Sequence, residues 1–151
     1  MSPRQSMLMA IVLINVAALT ACSTVRVDSV EPGIELESLT IQPSGLEINL
    51  LVENRNDQPI LLQATALELS LDDRVILDLT APLNLQIGPR GRESLVLTTT
   101  PKPGGQQALE AIEQSAAYRM VGRLEFESLR TYRLEQEGFL HPVPGQPGRY
   151  R

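Results

Sequence analysis

The chain has 151 residues, 42% of them hydrophobic, and a formal net charge of −5 from 13 basic and 18 acidic side chains. An acidic chain whose one lysine is Lys102 is poorly suited to neutralising phosphates, which argues against nucleic acid and anionic lipid head groups as partners. Cys22 is the single cysteine, so no intramolecular disulfide can form; with no tryptophan, two phenylalanines and three tyrosines, the core must be held by aliphatic side chains.

The first segment reads as an address rather than as structure. Met1 to Gln5 carries one positive charge, Arg4, and Met7 to Leu19 is apolar except for Asn15. That length matches a secretory apolar region and falls short of the ~20 residues needed to span a bilayer. It ends in Leu19-Thr20-Ala21-Cys22, which resembles a bacterial lipobox. The resemblance implies that residues 1–21 are a signal peptide, removed before Cys22. It also implies that the Cys22 sulfur carries a diacylglyceryl group and the new amine an acyl chain. At about 0.8 kcal/mol per buried CH₂, two or three chains hold a protein on a membrane, whereas one does so marginally. Ser23 resembles the outer-membrane sorting pattern, because aspartate there marks inner-membrane retention. Loss of residues 1–21 takes only Arg4 from the charge balance, leaving 12 basic against 18 acidic side chains in the 130 residues from Cys22 onward, enough for one domain.

A tether is expected from residue 22 to Gly33, closed by Pro32-Gly33; its 11 residues beyond the cysteine reach about 36 Å at most. Strands follow. Ile34 and Leu36 lie out of phase with Leu39 and Ile41, predicting a bulge near Ser38. After the Pro43-Ser44-Gly45 turn, Leu46, Ile48, Leu50 and Val52 alternate with Glu47, Asn49, Leu51 and Glu53. Asn54 to Pro59 reads as a turn. From Ile60 to Leu71 the apolar phase inverts, predicting a second bulge near Thr65 or Ala66. Asp72-Asp73-Arg74 closes a hairpin into Val75, Leu77 and Leu79, Pro82 interrupts, and Leu83, Leu85 and Ile87 resume. Gly88-Pro89-Arg90-Gly91 turns the chain into a strand from Arg92 to Thr100. The spacing of Ala108, Leu109, Ile112 and Ala116 predicts one amphipathic helix over residues 106–117, plugging an end of the sandwich. Tyr118 to Phe126 and Tyr132 to Leu134 form a last antiparallel pair, and residues 141–151, with three prolines and two glycines, are expected to cross the surface without regular structure. The whole predicts an all-β domain over residues 34–140, an antiparallel sandwich with one short helix in the C-terminal third.

Leu50-Leu51-Val52-Glu53-Asn54-Arg55-Asn56-Asp57-Gln58-Pro59-Ile60 resembles the signature of the LEA type-2, or water stress and hypersensitive response (WHy), domain. In that family an alternating strand ends in Asn-Pro-Asn and a long hairpin follows. Arg55 stands here in place of the proline, while Asn54 and Asn56 keep both asparagines. The similarity extends through the Ala66 to Val75 hairpin and the Ile87 to Gly91 turn, over roughly residues 34–140. It implies an immunoglobulin-like or fibronectin-III-like sandwich and a non-enzymatic role in desiccation and stress tolerance.

The candidate chemistry is sparse. His141 is the sole histidine and stands at the start of the tail, without companions for a metal site or a nucleophile-base pair. Asp72 and Asp73 read as turn formers, not paired catalytic acids, and Pro89 removes an N–H that a phosphate cradle would need. Asn54 and Asn56 are expected to close their loop through side-chain amides. Arg119, Arg123 and Arg133 are expected to pair across strands with Glu125, Glu127 and Glu135. No catalytic residue, metal or cofactor is expected. The functional expectation is a lipid-anchored envelope protein facing the periplasm, its partners the membrane itself and client or envelope proteins; the alternative is an assembly module that docks a partner through a sheet edge or the tail.

Overall fold

The computed structural model describes residues 30–127 and 131–151. It is an all-β sandwich with one short helix. Strands β1 (Gly33–Gln42), β2 (Gly45–Glu53), β3 (Ile60–Leu71), β4 (Arg74–Ile87) and β5 (Arg92–Thr99) precede helix α1 (Gly105–Glu110); β6 (Ala116–Phe126), β7 (Tyr132–Leu140) and β8 (Arg149–Tyr150) follow. One sheet has the order β5-β2-β1-β8, the other β4-β3-β6-β7, with antiparallel neighbours throughout. The chain changes sheet four times, between β2 and β3, β4 and β5, β5 and β6, and β7 and β8.

Alternation builds the core. Leu46, Ile48, Leu50 and Val52 of β2 all point inward, as do Leu67, Leu69 and Leu71 of β3 and Tyr118, Met120, Leu124 and Phe126 of β6. Where two inward runs are out of phase, a bulge restores them. The register of β1 shifts between Leu36 and Ser38, as the sequence predicts. In β3 the shift falls between Leu62 and Ala64, earlier than predicted; Thr65 is buried and its hydroxyl donates to the Arg123 carbonyl at 3.3 Å. Asp72 and Asp73 both adopt left-handed backbone, φ 44° and 65°, the geometry of a two-residue hairpin turn that matches strand twist. Pro82 does not interrupt β4, which runs unbroken from Arg74 to Ile87; β4 is an edge strand, where a missing N–H can face outward.

Two expectations need correction. The helix spans six residues, Gly105–Glu110, not residues 106–117. No side chain caps its start and no basic residue stands in its last turn, while Ala116 and Ala117 are taken by β6, opposite Leu140 and Phe139. Ladder pairing outweighs the weak helical preference of so short a segment. Leu109 is the fully buried side chain of the plug, with Ala108 and Ile112 partly buried and packed against the core beside it. The tail, expected to lack regular structure, turns back on itself and adds β8 to β1, Tyr150 opposite Leu39 and Arg149 opposite Thr40. His141 and Arg151 exchange backbone bonds at 2.8 and 3.0 Å, and the Val143 N–H donates to the Arg149 carbonyl at 2.9 Å. The tail thereby carries the chain from the edge of one sheet to the edge of the other, and Tyr150 is only 5% exposed.

Candidate functional site

Two sheet-to-sheet crossings meet at the pole where β1 begins, and Asn54 joins them. Its side chain is fully buried, a costly place for an amide unless each polar atom is paired. All are. Nδ2 donates to the carbonyls of Gln58 and Gly88, both at 2.8 Å, and of Ile87 at 3.3 Å, while Oδ1 accepts from the Asn56 N–H at 2.9 Å and from Asn56 Nδ2 at 3.3 Å. Backbone bonds from Asn54 to the Gly91 carbonyl, 2.8 Å, and from Arg90 to the Asn56 carbonyl, 3.0 Å, complete the stitch. Asn56 then reaches the incoming chain: Oδ1 accepts from the Val30 N–H at 2.7 Å and Nδ2 donates to the Val30 carbonyl at 2.9 Å. The expected tether is therefore held at Val30, three residues before β1 starts.

Charge surrounds the stitch. Glu53 accepts from Arg92, Nη2 at 2.8 Å and Nε at 3.1 Å, and from Arg55 Nε at 3.2 Å. The Arg92 bonds, then that of Arg55, hold its carboxyl below the ordinary 4.5. Asp57 accepts from Arg90 Nε at 2.7 Å, which lowers its pKa from 3.8 in the same way. Arg55, which stands where the family pattern has proline, thus serves an ion pair beside the stitch. All three arginines are solvent-exposed, so each pair adds little stability.

The other sequence candidates resolve as follows. Gly88 to Gly91 is a turn closed by the Gly91 N–H on the Gly88 carbonyl at 3.0 Å. Asp72 Oδ1 accepts from the Ala117 N–H at 3.2 Å, a structural task. His141 Nδ1 lies 3.2 Å from the Gln114 carbonyl oxygen. Arg119 pairs with Glu135 at 2.5 Å and Glu137 at 3.4 Å, as expected in kind. Arg123 and Arg133, however, stand opposite each other in the β6–β7 register, so the expected glutamate pairing does not extend to them directly. Among the described residues, no group of three or more His, Cys, Asp or Glu converges to hold a metal ion.

One feature was not visible in the sequence. Tyr118, opposite Gly138, covers the glycine with its ring, leaving a Cβ there only 2.8 Å from the ring carbon Cε1. With Asp72, Asp73, Arg119, Glu137 and the 63% exposed Phe139, it lines an open groove of about 540 Å³. Burial, and then the charge of Glu35, raises the Tyr118 hydroxyl pKa. Cys22 and the lipobox residues Leu19, Thr20 and Ala21 lie outside the described residues, as do residues 128–130 of the last hairpin. Among the described residues no helix is long and apolar enough to cross a membrane, which says nothing about crossing by strands.

No family model matches the sequence, and no curated protein matches it. Solved structures share the fold. A solution structure of a protein described as a candidate late embryogenesis abundant (LEA) protein is similar with a TM-score of 0.56 at 13% identity, over 96% of this chain and 89% of the other. A crystal structure of a protein from Archaeoglobus fulgidus matches at TM-score 0.52 and 12% identity, over 75% and 98%. A solution structure of a protein from Arabidopsis thaliana matches at 0.51 and 10%, over 77% and 88%.

Proposed function

We propose that this chain is a non-enzymatic lipoprotein of the cell envelope, anchored through acyl chains on Cys22, whose LEA type-2-like sandwich contributes to stress tolerance through weak contacts with other proteins. The observation that carries the reading is the clasp of Val30 by Asn56 at the junction of the two crossings. It fixes where the chain from Cys22 enters the domain, and the seven residues 23–29 between them reach at most about 25 Å when extended. A domain so tethered stays within that reach of its bilayer. The shared fold with a candidate LEA protein supports the class of function and not its detail.

Intact mass of the protein from its native host tests the anchor: loss of residues 1–21 and a gain of acyl mass are expected, and an unmodified Cys22 sulfur overturns it. Drying a labile enzyme with and without the purified protein tests protection; recovery no better than with serum albumin argues against it.

A second reading, an envelope assembly module using a sheet edge or the tail, is narrowed by one observation. The tail is engaged in β8, so a docking role would fall on a sheet edge rather than on residues 141–151.

A further inference from the structure

The groove beside Gly138 serves neither the lipid anchor nor the Asn54 stitch. Asp72, Asp73, Glu137 and Arg119 give its lining three carboxylates against one guanidinium, and that guanidinium is already held by Glu135 at 2.5 Å and Glu137 at 3.4 Å. An anion is therefore repelled. Asp72 has one oxygen engaged by the Ala117 N–H, whereas Asp73 makes no hydrogen bond among the described residues and is set in left-handed backbone, φ 65°, by the tight turn.

Tyr118 supplies what acidic residues alone would not. It is only 9% exposed, yet its hydroxyl has no hydrogen-bond partner among the described residues, although buried tyrosine hydroxyls usually find one. That hydroxyl lies over Gly138, where an added Cβ would stand 3.1 Å from it, so a side chain at 138 would displace the ring from the groove wall. Glu35 adds a further negative charge within reach of the same hydroxyl. Phe139, on the rim, offers an exposed ring to a cation or to an apolar body. A bare metal ion is not matched, because no three His, Cys, Asp or Glu converge among the described residues. We infer that the groove binds an alkylammonium ion, its N–H groups donating to the Asp73 carboxylate and the Tyr118 oxygen and its carbon chain lying against Phe139. A volume of about 540 Å³ is that of a small-molecule site, so the occupant is a free amine and not the lysine of another protein. The inference stands apart from the proposed stress role and does not need it.

Two-dimensional NMR of the full-length protein in detergent micelles, titrated with n-butylammonium chloride, tests the groove. The amides of Asp73, Gly138 and Phe139 should shift saturably, and n-butanol, a neutral molecule of nearly the same shape, should leave them in place. Asp73→Asn, which left-handed backbone tolerates, should weaken binding about fivefold, and Tyr118→Phe, which keeps the ring and removes the oxygen, about threefold. Glu47→Gln, on the other sheet, should bind as the parent does. The inference is overturned by the absence of a saturable shift, by an equal response to n-butanol, by parental affinity in Tyr118→Phe, or by a loss in Glu47→Gln equal to that in Asp73→Asn. A lysine-containing peptide that moves these amides while the free amine does not also overturns it.

Discussion

Asn56 grips Val30 in both directions, donating to its carbonyl at 2.9 Å and accepting from its N–H at 2.7 Å. Its amide stands in for a stretch of sheet and pins the incoming chain where two crossings meet. The remaining capacity of that asparagine is spent on Asn54, so the two act as one unit.

Asn54→Ala should destabilise the domain by about 3 kcal/mol. It removes the side-chain donor to the Gln58 carbonyl, one of two donors to the Gly88 carbonyl, the other being the Gly91 N–H, and the acceptor of the Asn56 N–H, and each unmet buried group costs about 1–3 kcal/mol. Asn54→Asp should cost more, since it points a carboxylate oxygen at carbonyl oxygens. Urea denaturation measures both, and a loss under 1 kcal/mol for the aspartate would contradict the assigned pairing.

Tyr150→Ala should cost about 3 kcal/mol by leaving a void beneath β8, the usual scale for a buried aromatic. Amide exchange should rise at Leu39 and Thr40 before it rises in β3 or β6. Uniform loss of protection throughout the sandwich would show that the tail is not a separable closure.

Glu53, Asp57 and Glu135 are all held below their ordinary values by arginine hydrogen bonds, from Arg92 and Arg55, Arg90 and Arg119 respectively. A carboxylate with a lowered folded pKa adds stability above its unfolded value and loses it as pH falls through the folded one. The melting midpoint should therefore hold near neutrality and decline once pH drops below about 4.5. Asp57 and Glu135 are exposed and Glu53 only half-buried, so the decline should be small and smaller still in high salt. Calorimetry at two salt concentrations reads it; an equal decline in both would assign acid sensitivity to some other source.

Cys22→Ala should leave an unprocessed precursor and abolish release of a lipid-modified protein, as read by mass and by fractionation. A variant that matures and partitions with the membrane like the parent would remove the anchor from the proposed function.

How much of this was legible depends on how local each cause is. The β1 bulge could be placed because large apolar residues flank it closely, Leu36 on one side and Leu39 on the other. The β3 bulge could be foreseen but not placed, because Gln63, Ala64 and Thr65 carry no large apolar side chain to mark the change of phase. The helical spacing ran on to Ala116 although that residue belongs to a ladder with Leu140, a pairing no local pattern records. Asn54 and Asn56 were legible as loop-closing amides, being two residues apart. Their distant acceptors, Gly88 and Val30, come together only through the crossings. Composition misled most at the tail, where prolines and glycines concealed that Tyr150 is an apolar anchor.

The union of Leu39 with Tyr150 couples an early strand to a late one, more than a hundred residues on. A chain delivered N-terminus first must hold its first hairpin open along one flank for nearly the whole of that delivery. Cover for the middle of that flank then comes only with the last residues of the chain, so this stretch of β1 is among the latest parts of the domain to be shielded.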